Sequence, residues 1–261
     1  MSLFRFFAVS LIAALPAAAQ IGSRNAPGVA FGHIHLNSSD PDTAIAFWKD
    51  VIGAATYSHE SLNGVSTLGA TILFTKKDPT GPSAGSTIDH IALKVPDLQP
   101  FVEKLAKTSY KSFQTVPGGD SLMIDGPDGV RIELTEDSSM YAPLQFDRIQ
   151  FRTTQPQDAQ AWYIKTFGAR PGTGDKSDSI VVSGATLTFE QADSPAPSAG
   201  RAIDHIGFEV KGLEAFCQKL TDSGIKLDSP YRSVPQLKLS LAFLTDPWGT
   251  RIELTEGLAT R

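Results

Sequence analysis

The hydrophobic and polar positions of this chain follow one pattern that recurs along its length. In residues 31–36, polar and apolar side chains alternate as in a strand that has one face in the interior. Asp40-Pro41 then supplies an N-cap and an N1 proline, and apolar residues follow at helical spacing until Gly53. Short strands follow, ending in residues 69–75. The pattern predicts a module of one strand, one helix and three strands.

The module is part of a larger internal repeat. The segment Gly81-Pro-Ser-Ala-Gly-Ser-Thr-Ile-Asp-His90 matches Ala196-Pro-Ser-Ala-Gly-Arg-Ala-Ile-Asp-His205, which lies 115 residues later. Towards the end of each copy the offset grows to 120, so about five extra residues lie in the second copy, near residues 230–237. The repeat predicts an α+β chain of two copies, residues 29–137 and 144–257, with four βαβββ modules in all.

Composition limits the class of protein. The chain has 261 residues and a net charge of −5, which suits two globular domains and argues against nucleic acid as a partner. The single cysteine, Cys217, excludes an internal disulfide, and its place in a predicted amphipathic helix favours a buried apolar role.

The N-terminus has the pattern of a secretory signal. Arg5 precedes a short apolar run, residues 6–14, and Ala17-Ala18-Ala19 provides small residues at a cleavage site. The run is too short for a spanning helix, which needs about 20 residues. We expect a signal over residues 1–19, cleavage near Gln20, and a secreted or periplasmic protein without a membrane association; a retained anchor is the alternative.

Several residues carry a family resemblance. They are a His on the first strand (His33), an aromatic pair in the next helix (Phe47-Trp48), then His90, and Glu133 after the turn at residues 126–129; His205 and Glu253 repeat the second half. With these features residues 29–257 resemble the vicinal-oxygen-chelate superfamily of glyoxalases, bleomycin-resistance proteins and extradiol dioxygenases. The resemblance implies paired modules that curl into half-barrel sheets, with a metal on the inner face that binds two adjacent substrate oxygens.

The resemblance also implies four metal-facing positions in each module pair. If modules pair in sequence order, the first set is His33, Leu73, His90 and Glu133, and the second is Arg148, Thr188, His205 and Glu253. We then expect one divalent ion (Fe, Mn, Zn or Ni) on His33, His90 and Glu133, since Leu cannot coordinate it. The second site should be degenerate, because Arg148 is permanently cationic and should pair with Glu253 instead.

The pairing of the modules decides between two ligand sets. Sequential pairing gives His33, His90 and Glu133, and we favour it because a short connection brings neighbouring modules together most simply. If the first module pairs with the fourth, the ligands are His33, His205 and Glu253. His33 is a ligand in both arrangements.

A second histidine accompanies the expected ligands. His35 lies two residues after His33 and should face the same way, so it is the candidate catalytic acid or base; a positioning or wall residue is the alternative. Ring-cleaving members of the family commonly have a Tyr ten residues before the liganding Glu, where this chain has Met123 and Phe243. A mechanism that needs this Tyr is therefore not expected.

Two functions are consistent with these residues. The first is a metal-dependent enzyme, glyoxalase-like or dioxygenase-like, whose ion polarises a small oxygen-rich substrate as a Lewis acid. The second is a metal-free small-molecule binding protein of the bleomycin-resistance type. Export makes a cytosolic thiol an unsuitable co-substrate, and the chain is expected to be a monomer or a homodimer.

Overall fold

The computed structural model describes residues 22–114, 119–173 and 179–258, so the expected signal at residues 1–19 lies outside the described residues. The first module contains β1 (Val29–Ser38), α1 (Pro41–Phe47), β2 (Ala55–His59), β3 (Leu62–Thr67) and β4 (Ala70–Lys76). Asp40 caps α1 by accepting a hydrogen bond from the Thr43 amide at 3.2 Å. A π-helical turn over Trp48–Ile52 extends α1, and Gly53 ends it in the left-handed conformation with φ of 86°.

The other three modules repeat this order. The second contains β5 (Ile88–Val95), α2 (Gln99–Leu105), β6 (Lys111–Gln114), β7 (Ser121–Asp125) and β8 (Arg131–Glu136). The third contains β9 (Gln145–Thr153), α3 (Pro156–Phe167), β10 (Arg170–Pro171), β11 (Ser179–Val182) and β12 (Ala185–Gln191). The fourth contains β13 (Ile203–Val210), α4 (Leu213–Asp222), β14 (Leu227–Val234), β15 (Leu239–Thr245) and β16 (Arg251–Glu256). The α+β class and the four βαβββ modules are thereby confirmed.

The strands form two open, curved sheets of eight strands each. Sheet 1 has the order β14-β15-β16-β13-β1-β4-β3-β2 and joins the first and fourth modules. Sheet 2 has the order β10-β11-β12-β9-β5-β8-β7-β6 and joins the second and third modules. Sequential pairing of the modules is therefore wrong, and the alternative, first with fourth, is what the chain adopts.

Two connections explain this pairing. The chain passes from sheet 1 to sheet 2 through residues 77–87 and returns through residues 192–202, which contain the two copies of the repeated Pro-Ser-Ala-Gly segment. These connections bind each other: Thr87 N donates to Ala196 O at 2.8 Å, and Ala202 N donates to Gly81 O at 3.0 Å. The short link between β8 and β9 instead stays within sheet 2. A short connection thus does join neighbouring modules, but these are the second and third.

The larger of two hydrophobic clusters in the described residues contains buried side chains from both sheets and from the helices. Phe31 on β1 of sheet 1 stacks on Phe146 on β9 of sheet 2, with ring centroids 5.3 Å apart. The Phe208 ring meets Phe31 edge-on at 6.3 Å. Cys217 on α4 is buried, as expected, and burial raises the pKa of its thiol to about 11. None of the helices in the described part of the chain is long and apolar enough to cross a membrane.

The aromatic contact between the sheets gives a stability prediction. Phe31→Ala should lower the free energy of unfolding by about 3–5 kcal/mol, because it opens a cavity at a position that is 1% exposed. Urea denaturation followed by circular dichroism measures the loss. Tyr141→Ala is the control, since Tyr141 is fully exposed and should change stability by less than about 0.5 kcal/mol. An equal, small effect of both variants would contradict a core shared by the two sheets.

Candidate metal centre

Three side chains from three strands of sheet 1 converge on one carboxylate oxygen. Nε2 of His33 on β1 donates a hydrogen bond to Oε2 of Glu253 on β16 at 2.9 Å. Nε2 of His205 on β13 donates to the same oxygen at 3.0 Å. All three residues are buried, with His33 at 0% exposure. Two imidazoles and one carboxylate that meet at a point form the donor set of a facial metal site.

The register of β1 and β13 creates this convergence. The two strands are antiparallel, and His33 lies opposite Gly207 while His35 lies opposite His205. A Cβ atom at position 207 would lie 2.0 Å from the imidazole of His33. Glycine is therefore required at 207, because any side chain there would displace the ring that binds Glu253.

A neighbouring carboxylate orients His205. Nδ1 of His205 donates to Oδ2 of Asp204 at 2.6 Å, which directs Nε2 towards Glu253. Asp204 is itself held by the Arg251 guanidinium at 2.7 Å and by the Asn37 amide at 3.0 Å. The ring of His205 also meets the edge of Phe243 at a centroid distance of 5.3 Å. Both ring nitrogens of His205 are thus bound, which holds the ring towards Glu253.

The charges of the cluster balance one another. Burial opposes ionisation of Glu253, but hydrogen bonds from His205 and His33 outweigh it and hold the pKa of this carboxyl far below its usual range. Burial likewise opposes protonation of His205, yet its bonds to Asp204 and Glu253 raise the pKa of the ring. The centre therefore presents an ionised carboxylate that needs positive charge beside it, from a protonated imidazole or from a cation.

His35 joins the cluster from the same face of β1 as His33. Its ring stacks on that of His205 with centroids 4.6 Å apart, and its Nε2 lies 2.7 Å from Oγ1 of Thr75. Nδ1 of His35 is buried without a hydrogen-bond partner. Burial and the two neighbouring imidazoles hold the pKa of His35 well below its ordinary value, so its ring is neutral at neutral pH.

The spacing of the donor atoms fits one metal ion. Ligand atoms of His33, His35, His205 and Glu253 all lie within 4.8 Å of one another. Two ligands of one ion lie at most about 4.5 Å apart when each bond is about 2.0–2.3 Å, so a small adjustment suffices. His35 can supply the fourth donor that Leu73, its partner in the β1–β4 register, cannot provide. No other such group occurs among the residues that the structure describes.

The corresponding place in sheet 2 carries its own cation. Nε2 of His90 on β5 donates to Oε2 of Glu133 on β8 at 3.1 Å, as His205 does to Glu253. Where His33 stands in sheet 1, Arg148 on β9 stands here, and its Nη2 donates to the same oxygen at 2.5 Å. Arg148 also binds Asp147 at 2.9 Å. Burial opposes ionisation of Glu133, but the bond from His90 and the Arg148 charge lower its pKa.

These positions correct the expected ligand set. The structure does not bring His33 together with His90 and Glu133, because β1 lies in sheet 1 whereas β5 and β8 lie in sheet 2. The expected pair of Arg148 with Glu253 is wrong for the same reason, although Arg148 does pair with the Glu of its own sheet. Thr188, on β12, also belongs to sheet 2.

Sequence reasoning missed two contributors to the centre. Asp204, which orients His205, precedes it directly, and Asp89 binds Nδ1 of His90 in the same way at 2.9 Å. The repeated Ile-Asp-His in both copies was the signal for this role. Gly207 is the second missed contributor. Its signal in the sequence is that the equivalent position of the other copy, opposite Arg148 in sheet 2, is Ala92.

The comparisons with known proteins agree with this architecture. A family model described as Glyoxalase/Bleomycin resistance protein/Dioxygenase superfamily matches residues 30–134 and 145–254, close to the two sequence copies. The chain belongs to this superfamily. A comparison with curated proteins gives no sequence match.

Solved structures share the fold at low sequence identity. Glyoxalase I from Zea mays is 16% identical, with a TM-score of 0.63 over 87% of this chain and 92% of that one. A mutant of glyoxalase I from Zea mays gives 16% identity and a TM-score of 0.66 over 88% and 94%. A Bacillus subtilis protein assigned as a dioxygenase is 13% identical, with a TM-score of 0.61 over 93% and 88%. At these identities the likeness concerns the fold.

The close approach at Gly207 gives a prediction for the centre. Gly207→Ala should displace the His33 ring and weaken Mn²⁺ binding at least about tenfold, as disturbed ligand orientation does in metal sites. Isothermal titration calorimetry measures the affinity. Ala92→Gly is the matched control, because it changes the equivalent position of sheet 2 and should leave Mn²⁺ affinity unchanged. A Gly207→Ala protein that binds Mn²⁺ like the parent would rule out this geometry.

Proposed function

We propose that this protein is an exported, divalent-metal-dependent enzyme that acts on a small oxygen-rich molecule, by glyoxalase-like or dioxygenase-like chemistry. The observation that carries the proposal is the convergence of two imidazole nitrogens on one oxygen of Glu253, with a third imidazole beside them. Sheet 2 supports the proposal by contrast, because there Arg148 supplies the positive charge beside the glutamate.

The residues have separate roles in this proposal. His33, His205 and Glu253 would hold the ion, and Asp204 would keep His205 in its liganding orientation. A bound ion would supply Lewis acidity towards two adjacent substrate oxygens. Fe, Mn, Zn and Ni all suit imidazole and carboxylate donors. Assays of the protein loaded with each of these ions in turn identify the one that supports activity.

His35 is the residue we propose for proton transfer. Its Nδ1 makes no hydrogen bond in the structure, so this nitrogen is the one that would exchange a proton with a substrate bound at the centre. Phe243, which lies edge-on to His205, offers no phenol at the place where ring-cleaving relatives commonly carry a Tyr. His35 therefore takes the acid–base role at this centre, unless it completes the ligand set as a fourth donor.

The ligand assignment is tested by paired variants in the two sheets. His33→Ala and Glu253→Gln should each lower metal affinity by more than about 100-fold, because each removes a direct ligand. His90→Ala and Glu133→Gln change the equivalent residues of sheet 2 and should leave metal content unaltered. Metal content is measured by inductively coupled plasma mass spectrometry on protein purified without chelators or a His tag, with thermal unfolding as the folding control.

Two results would contradict the assignment. If the His90 and Glu133 variants lose metal and the others keep it, the site lies in sheet 2. If the parent binds no divalent ion tightly, the enzyme proposal fails and a metal-free binding protein takes its place.

Export is part of the proposal and has a separate test. The signal pattern in residues 1–19 supports it. Mass spectrometry of the protein from a secreted or periplasmic fraction should give a mature chain that begins near Gln20. A chain that retains Met1 and stays with the cytosol would contradict export.

A further inference from the structure

The space beside the metal centre is walled by leucine. A cavity of about 60 Å³ has His33, His35 and Glu253 in its lining. Apart from Thr255, the remaining lining consists of Leu62, Leu73, Leu237, Leu239, Leu241 and Leu258. A substrate whose oxygens face the metal centre would therefore place the rest of its surface against hydrocarbon.

Among the described residues, the cavity lining offers no cationic side chain for an acidic group that lies away from the metal-binding oxygens. None of its described lining residues is Lys or Arg. The nearby Arg251 is already bound to Asp204 at 2.7 Å and lies over the Phe243 ring. Lys238, next to Leu237 and Leu239, forms an ion pair with Glu60 at 2.7 Å. A substrate carboxylate here would lose its water without gaining a partner, which costs several kcal/mol.

The leucine wall is held in place by a contact between two hairpins. The β2–β3 turn meets the β14–β15 turn, and Nε2 of His59 donates to the carbonyl of Leu237 at 2.8 Å. The ion pair of Lys238 with Glu60 joins the same two turns, and both residues have a left-handed backbone with φ near 50°. The β14–β15 turn is also where the second sequence copy carries its extra residues.

This contact limits the size of a ligand. At about 60 Å³ the cavity between the two turns holds only a few water molecules. A ligand with a longer apolar part must displace the β14–β15 turn, and it would then exchange leucine–leucine contacts for leucine–ligand contacts. An uncharged tail offsets the lost leucine–leucine contacts by burying its own apolar surface, whereas a charged tail does not.

We infer that the substrate is uncharged apart from its metal-binding oxygens: two adjacent oxygens face the metal centre, and the remainder is an apolar group packed against the leucine wall. The inference rests on the proposed function. It excludes substrates that carry a carboxylate, a phosphate or a charged peptide away from the reacting oxygens.

Hydroxamic acids provide a test, because they bind metals through two adjacent oxygens whatever their tail. The Mn²⁺-loaded protein is titrated with acetohydroxamic acid, hexanohydroxamic acid and the monohydroxamic acid of succinate, which ends in a carboxylate. The alkyl tail of the hexano compound should improve the affinity at least about tenfold over the aceto compound. The succinate compound should bind at least about tenfold more weakly than the hexano compound.

Charge variants of the wall sharpen the test. Leu241→Arg, on β15, should reverse the preference and favour the succinate compound, because it supplies the missing cation. Leu237→Arg, on the more exposed turn, provides a second variant if Leu241→Arg does not fold. Ser240→Arg is the matched control, since successive side chains of a strand face opposite ways and its charge lies outside the cavity.

The outcomes separate this inference from the proposed function. If the parent binds Mn²⁺ but prefers the succinate compound, or binds no hydroxamic acid, the substrate class is wrong while the metal centre stands. If Ser240→Arg shifts the preference as much as Leu241→Arg, the leucine wall is not the cause and the inference is overturned. If the parent binds no Mn²⁺ or other divalent ion, both fail. The inference is supported if Leu241→Arg or Leu237→Arg reverses the preference between the two compounds and Ser240→Arg does not.

Discussion

The antiparallel pairing of β1 with β13 is the interaction on which the metal centre depends. It joins the first and last modules into one sheet and places His33 opposite Gly207 and His35 opposite His205. It also brings β16, which is parallel to β13, close enough for Glu253 to meet both rings. The centre exists only in the complete fold, because its ligands come from opposite ends of the chain.

The duplication has given two sites with the same frame but with different sources of positive charge beside the glutamate. In both, a histidine fixed by the preceding aspartate donates to a glutamate on a parallel strand. The difference lies in the third residue, His33 in one sheet and Arg148 in the other. Arg148 neutralises Glu133 permanently, whereas a protonated imidazole can release its proton to solvent and bind a cation through the freed nitrogen. The proposed difference in metal binding between the two sheets therefore rests on this residue together with the one opposite it.

Much of this architecture could be predicted from the sequence. The alternation in residues 31–36, the Asp40-Pro41 helix start and the offset of 115 residues predicted the modules and the α+β class. The family resemblance gave His33 as a ligand in either pairing, but the expected degenerate set of Arg148, Thr188, His205 and Glu253 is divided between the two sheets. Glu253 and His205 were recognised only as the alternative ligands.

The pairing could not be decided in the same way, for a physical reason. His90 with Glu133 and His205 with Glu253 are identical in residue type and setting, so either pair could complete a site with His33. The two pairs differ in the residue on the neighbouring strand that lies opposite the imidazole. The position opposite the imidazole must be glycine, and it is Gly207 in the fourth module but Ala92 in the second. The leucine wall could not be predicted from the sequence either, because its members come from both ends of the chain.

Anomalous X-ray diffraction from crystals grown with Mn²⁺ tests the central claim most directly. The account predicts one strong anomalous peak, about 2.0–2.3 Å from Nε2 of His33, Nε2 of His205 and a carboxylate oxygen of Glu253. It also predicts no peak beside Glu133, where Arg148 occupies the place of the ion. A peak bound by His90 and Glu133 with Arg148 turned away, or no peak beside Glu253, would contradict it.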